Sequence, residues 1–217
     1  MNDADFVRLI SEHRVFATVC AESAEIALRT AEAAIVGGIK LIEVALVMPG
    51  AFRVISDLRH AFGDRACIGG GSVISYDQLD RSLKCGAQFI SMSHTSVPLI
   101  EATRRSHVPS VVGALTPTEV AAAVSLGAPL VSVFPSEPLG GPAYLRSLVS
   151  RMAGIRLGAA GGVGSHNIQD YFNAGAFAVS VGSLLFMDGD VRNGNYAAIA
   201  ERARTLLRLA EVLQRTG

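Results

Sequence analysis

Residues 156–183 read RLGAAGGVGSHNIQDYFNAGAFAVSVGS. A short apolar run ends in Gly161 and Gly162, and a helix-like segment follows at 167–174. A second apolar run, 178–181, ends in Gly182 and Ser183. Strand, glycine turn, helix, strand and glycine turn make one βα unit and the start of the next. Glycine just past a strand lets the backbone approach a ligand and turn its N–H groups outward. A helix start behind such a turn adds a dipole that favours an anion. Two such ends side by side can grip a phosphate, although two ordinary tight turns are written in the same letters.

The same grammar runs through the rest of the chain. Helices are predicted at 6–13, 23–36, 51–62, 76–85, 97–106, 116–126, 143–153, 167–174 and 195–214. The first is expected to be capped by Asn2 or Asp3, and Pro117 suits the first turn of its helix. Strands are predicted at 14–19, 41–46, 66–69, 89–91, 110–112, 130–134, in the run before Gly161, and at 178–181. Four of them begin with one pattern: GIKLIEV from Gly38, GAQFISM from Gly86, GAPLVSV from Gly127 and GAFAVSV from Gly175, at intervals of 41 or 48 residues. A fixed interval marks a repeated βα pair. Eight short strands alternating with helices predict an α/β fold, a (β/α)8 TIM barrel formed as a single domain over 1–217 with an N-terminal helix. The repeat also sets register. The fifth residue after each glycine is Glu43, Ser91, Ser132 and Ser180. Alternate strands share a layer inside such a barrel, so these four side chains are expected in one interior layer.

Composition bounds the function. Formal net charge is zero, half of the residues are hydrophobic and Trp is absent. No nucleic-acid surface is expected. Apolar runs are short and broken by glycine, so no membrane span is expected. The N-terminus has no apolar targeting core. Cys20, Cys67 and Cys85 show no metal spacing and read as thiols of a reducing, cytoplasmic setting. His13, His60, His107 and His166 show no ligand spacing either, and no cofactor is expected.

Several residues could carry chemistry. Glu43 sits in the apolar strand LIEVALV, where burial raises a carboxyl's pKa and suits it to proton transfer. Ser72 follows Gly69–Gly71 at a strand end, as a hydroxyl donor or a turn residue. His94 lies on a loop and reads as solvated. The loop FPSEPLGG, 134–141, either covers a ligand or simply connects.

Taken together, GGIKLIEVAL, IGGGSV, GAQFIS, VPSVVGALTPTE, FPSEPLGGPAYLRSL, AAGGVGSHN and VGSLL resemble the 2-keto-3-deoxy-6-phosphogluconate / 4-hydroxy-2-oxoglutarate aldolase family over nearly the whole chain. The resemblance implies a homotrimeric (β/α)8 barrel. Its implied reaction is cleavage of small, often phosphorylated 2-keto-4-hydroxy acids to pyruvate and an aldehyde through a lysine Schiff base. It assigns proton shuttling to Glu43 and phosphate or substrate binding to Ser72, Phe134, Gly161, Gly162, Gly182 and Ser183. The sequence departs from the family at two decisive points. The Schiff-base lysine, two residues before the Phe-Pro pair, is Ser132, and the carboxylate-binding arginine, four residues after the glutamate, is Val47. The end of strand four reads Met92-Ser93-His94 where Ser-Pro-Gly is usual.

The chain has only two lysines. Lys40, three residues before Glu43, is turned to the other face by strand alternation, and Lys84 ends a helix outside the barrel. Serine cannot form an iminium, so the electron sink of the lysine reaction is missing. Three readings follow. One is a carbon–carbon lyase of this family working without the lysine, with a divalent metal at Glu43 as one way to do so. Another is a phospho-ligand binder that keeps the grip. The third is a phosphosugar isomerase or epimerase with Glu43 as base.

Overall fold

The computed structural model describes residues 1–211. Its elements in chain order are α1 (Asp3–His13), β1 (Val15–Val19), α2 (Ala24–Val36), β2 (Leu41–Ala45), α3 (Ala51–Phe62), β3 (Cys67–Gly71), α4 (Tyr76–Lys84), β4 (Phe89–Met92), α5 (Val97–Arg105) and β5 (Ser110–Ala114). They continue as α6 (Pro117–Ser125), β6 (Leu130–Val133), α7 (Gly141–Arg151), β7 (Leu157–Ala160), α8 (Ile168–Asn173), β8 (Ala178–Val181), α9 (Asp188–Arg192) and α10 (Tyr196–Glu211). The strands pair in sequence order and β8 closes on β1, every pair parallel. This is the expected (β/α)8 barrel.

The repeated glycine has a local cause. After α2, α4, α6 and α8 it takes a left-handed backbone, with φ of 104°, 88°, 86° and 98° at Gly38, Gly86, Gly127 and Gly175. Paired reverse hydrogen bonds close each helix there, such as Gly38 N–H to Ile35 O and Ile39 N–H to Ala34 O. That closure needs a residue without a Cβ penalty, and it delivers the chain into the next strand in one register. Helix starts are equally local. Asn2, Ser23, Ser75 and Thr116 accept from the first-turn amides, and Thr116 with Glu119 forms a full capping box ahead of Pro117.

Packing inside the barrel is layered. Leu41, Phe89, Leu130 and Ala178, each the third residue after a repeat glycine, form a lower layer with Phe16, Cys67 and Val111, and Phe6 and Ile10 of α1 close it from below. The Phe6 and Phe89 rings stack at 5.2 Å and Phe16 meets Phe89 edge-on at 5.7 Å. A Cβ at Gly69 would meet the Phe89 ring, so Gly69 leaves the space into which that ring of β4 packs. The plugged lower end is the floor of whatever the upper end holds.

Some boundaries differ from expectation. β3 runs on to Gly71, because the glycines continue the ladder with β2 through Ala45. The 134–141 loop contains a short 3-10 turn, Glu137–Leu139, and α7 starts at Gly141. α9 was not anticipated, since five residues including Gly189 carry no readable period. The last helix is described to Glu211, and 212–214 of its expected span lie outside the described residues.

Candidate active site

The C-terminal ends of the strands surround a cavity of about 280 Å³. Glu43, Ser91, Ser132 and Ser180 all line it, directly above the phenylalanine floor. A larger hollow, about 390 Å³, lies outside the barrel between α2 and α10, but the strand ends and the isolated carboxyl belong to the smaller one.

Glu43 is 8% exposed, flanked in register by Thr18 of β1 and Gly69 of β3. A Cβ at Gly71 would overlap its carboxylate, so the glycine-rich strand gives the carboxyl its room. Burial pushes the Glu43 carboxyl up to about 7, opposed only by a hydrogen bond with Ser91. Near neutral pH both protonation states are therefore available. Glu43 is the only Asp, Glu, Lys, Arg or His side chain among the lining residues. Around it stand seven hydroxyls: Thr18, Ser72, Ser91, Ser93, Ser132, Ser180 and Ser183.

Ser132 faces this cavity from β6, also 8% exposed. Neither lysine reaches it. Lys40 precedes β2 at the opposite end of the barrel, close enough to His13 to act on its charge. Lys84 is exposed on α4 and paired with Asp80 at 2.6 Å. Val47 stands 75% exposed at the mouth, with Phe134 beside the cavity at 40%. Ser72 has a left-handed backbone, φ 58°, and its hydroxyl lies 3.5 Å from that of Ser93. His94 is exposed and does not line the cavity.

Gly161, Gly162, Gly182 and Ser183 come together at the rim. Gly161 and Gly162 have φ of 87° and 91°, and among the described residues the N–H groups of Gly162 and Ser183 find no protein acceptor. The helix expected at 167–174 is present as α8, set back from the glycine turn. No helix begins directly behind either turn. α8 starts at Ile168, beyond the segment 163–167, and after Ser183 the chain makes one turn, closed by the Leu185 and Phe186 amides on Gly182 O, before α9 at Asp188. Both helices are short, so any anion held here meets loop amides rather than the dipole of a long helix.

The 134–141 loop is anchored by Glu137, a residue the sequence did not single out. Its Oε2 accepts from the Tyr171 hydroxyl at 2.7 Å and from Asn167 Nδ2 at 3.2 Å, and its N–H donates to Gly161 O at 2.9 Å. Asn167 also donates to Gly162 O and accepts from Gly164 N–H. A Cβ at Gly162 would overlap the Glu137 side chain. The loop after β6 is thus bolted to the glycine turn after β7. Thr18 and Cys20, both lining the cavity, were also missed. Thr18 lies on an odd strand, outside the repeat, where only pairing with β2 could have shown its register, and Cys20 follows just past the end of that strand.

Among the described residues no three His, Cys, Asp or Glu side chains cluster as a group that could hold a metal ion. No helix among them is long and apolar enough to cross a membrane.

Together these features define a (β/α)8-barrel protein with a small-molecule cavity at its C-terminal mouth. Residues 7–202 match the family model for KDPG and KHG aldolases, and the chain belongs to that family. It is 28% identical to 2-dehydro-3-deoxy-phosphogluconate aldolase of Treponema pallidum, over 92% of this chain and 95% of that protein. It is 30% identical to 2-dehydro-3-deoxy-6-phosphogalactonate aldolase of Escherichia coli, over 75% of this chain and 80% of the relative. Among solved structures it superposes on KDPG aldolase from Legionella pneumophila with a TM-score of 0.85 and 25% identity, covering 93% of this chain and 97% of the other. That structure holds pyruvate as a covalent carbinolamine.

Proposed function

We propose that this chain is a carbon–carbon lyase of the aldolase family that acts on a small phosphorylated 2-keto acid and uses no covalent amine intermediate. The observation that carries the second half is the cavity lining, where a hydroxyl, Ser132, occupies the family's lysine position and no amine approaches. The phosphate end of the ligand is assigned to the unpartnered amides at Gly162 and Ser183, with Gly161, Gly182 and Ser72 shaping the rim and Phe134 flanking it. Glu43 is assigned the proton transfer. A homotrimer and a cytoplasmic setting complete the reading, on the family likeness and the free cysteines.

The test is a cleavage assay with phosphorylated 2-keto-3-deoxy acids, run beside borohydride trapping with pyruvate. Cleavage with an unchanged intact mass is expected. A reduced adduct on Lys40 or Lys84 refutes the non-covalent chemistry, and a monomer mass by light scattering refutes the trimer. The absence of any cationic side chain from the lining favours one rival, a phospho-ligand binder without turnover. Binding without cleavage, with and without added divalent metal, would select it.

A further inference from the structure

Glu43 meets only neutral groups on every side. Thr18 faces it from β1, Gly69 and Gly71 from β3, Ser91 from β4, and Ser132 and Ser180 complete its layer. The layer beneath holds Phe16, Phe89 and the Cys67 thiol, which burial pushes up to about 12 and so keeps protonated. At the mouth the titratable group is Cys20, beside Val47 and Ser72. His13 and Lys40 belong to the opposite end of the barrel, and His94 is exposed outside the cavity. An ionised Glu43 in this lining would repel both the carboxylate of a 2-keto acid and the enolate that forms from it, with no cation nearby to offset the repulsion. A protonated Glu43 removes that repulsion and presents an O–H donor, as neutral buried carboxylic acids can.

We propose that Glu43 meets the ligand as a neutral carboxylic acid and donates its proton to the 2-keto oxygen, taking over the electron-withdrawing task of the absent amine. The proposal rests on the lyase reading and goes beyond a shuttle that only relays protons. In cleavage, the 4-hydroxyl proton passes to water. The C3–C4 bond breaks, its electron pair forms C2=C3, and the carbonyl pair takes the Glu43 proton. The products are an aldehyde and the enol of pyruvate. The enol then accepts a proton at C3 from hydronium, and its O–H proton returns to the Glu43 carboxylate. Seven hydroxyls line the same cavity.

The test uses the full chain and pyruvate as the probe, with dissociation constants from NMR titration between about pH 5.5 and 9. Affinity should be flat at the acid end and weaken about tenfold per pH unit above about 7. Exchange of the pyruvate methyl protons with D2O should decline over the same range. Glu43→Gln should bind pyruvate with no pH dependence, because the amide still donates, and should lose the exchange. Cys20→Ser should keep the wild-type profile. A flat or tightening affinity in the wild type, exchange that rises as Glu43 ionises, a profile abolished by Cys20→Ser, or no pyruvate binding at about pH 5.5 would each overturn the proposal. The wild-type series stands even if a variant fails to fold. Cleavage of phosphorylated 2-keto acids with a flat pyruvate profile would leave the lyase reading intact and remove this one. The expected profile without cleavage would do the reverse.

Discussion

Replacing Glu43 by Gln should change how stability depends on pH. In the unfolded chain this carboxyl ionises near its ordinary value of 4.5, whereas in the barrel burial holds the proton until about pH 7. Between those values the folded state binds more protons than the unfolded state, so stability falls as pH rises. The contribution is fully present below about 4.5, is lost through the window up to about 7, and stays lost above it. A displacement of that size corresponds to about 3 kcal/mol at most, at about 1.4 kcal/mol per pH unit. Gln fills the same space and does not titrate. Stability of Glu43→Gln relative to wild type should therefore improve by up to about 3 kcal/mol between about pH 4 and 8.5, which corresponds to a relative Tm gain of roughly 6–12 °C for a chain of this size. Urea unfolding of both proteins at a series of pH values measures the difference directly, and every other titrating group cancels. A difference that stays constant with pH, or that turns against the variant at high pH, would show that Glu43 is not desolvated in the folded state.

Other perturbations test neighbouring parts of the same picture. Gly71→Ala puts a methyl where the Glu43 carboxylate lies; it should cost about 1–3 kcal/mol and displace the carboxyl, which thermal unfolding and pyruvate titration would register together. Tyr171→Phe removes the donor to Glu137; a loss of about 1–3 kcal/mol, with faster hydrogen exchange at the Glu137 amide, is expected, and unchanged exchange would show that the loop is held by other contacts. Ser183→Asp should weaken binding of phosphorylated ligands through like-charge repulsion, and equal affinity by calorimetry would mean the grip is misplaced. Ser132→Lys adds an amine to the Glu43 layer and should give some borohydride trapping of pyruvate, more when combined with Val47→Arg; a folded double variant that traps none would show divergence beyond those two positions.

Much of this protein was legible in one dimension because its causes are local. A helix closed by a left-handed glycine recurs at Gly38, Gly86, Gly127 and Gly175, and each time the closure fixes how the next strand begins. Strand alternation then carries that register five residues on. So Glu43, Ser91, Ser132 and Ser180 could be placed in one layer from spacing alone. What spacing cannot carry is contact between segments far apart in the chain. Phe6 closing the barrel floor against Phe89, Gly71 making room for Glu43, and Glu137 tied to Asn167 and Tyr171 all depend on side chains that meet only after the sheet has closed. The charge state of Glu43 is of that kind too. The sequence determined that a carboxyl would stand in the barrel layer. Only the tertiary structure decided that it stands there among neutral groups, because desolvation is a property of the packed surroundings and not of the strand that bears the residue.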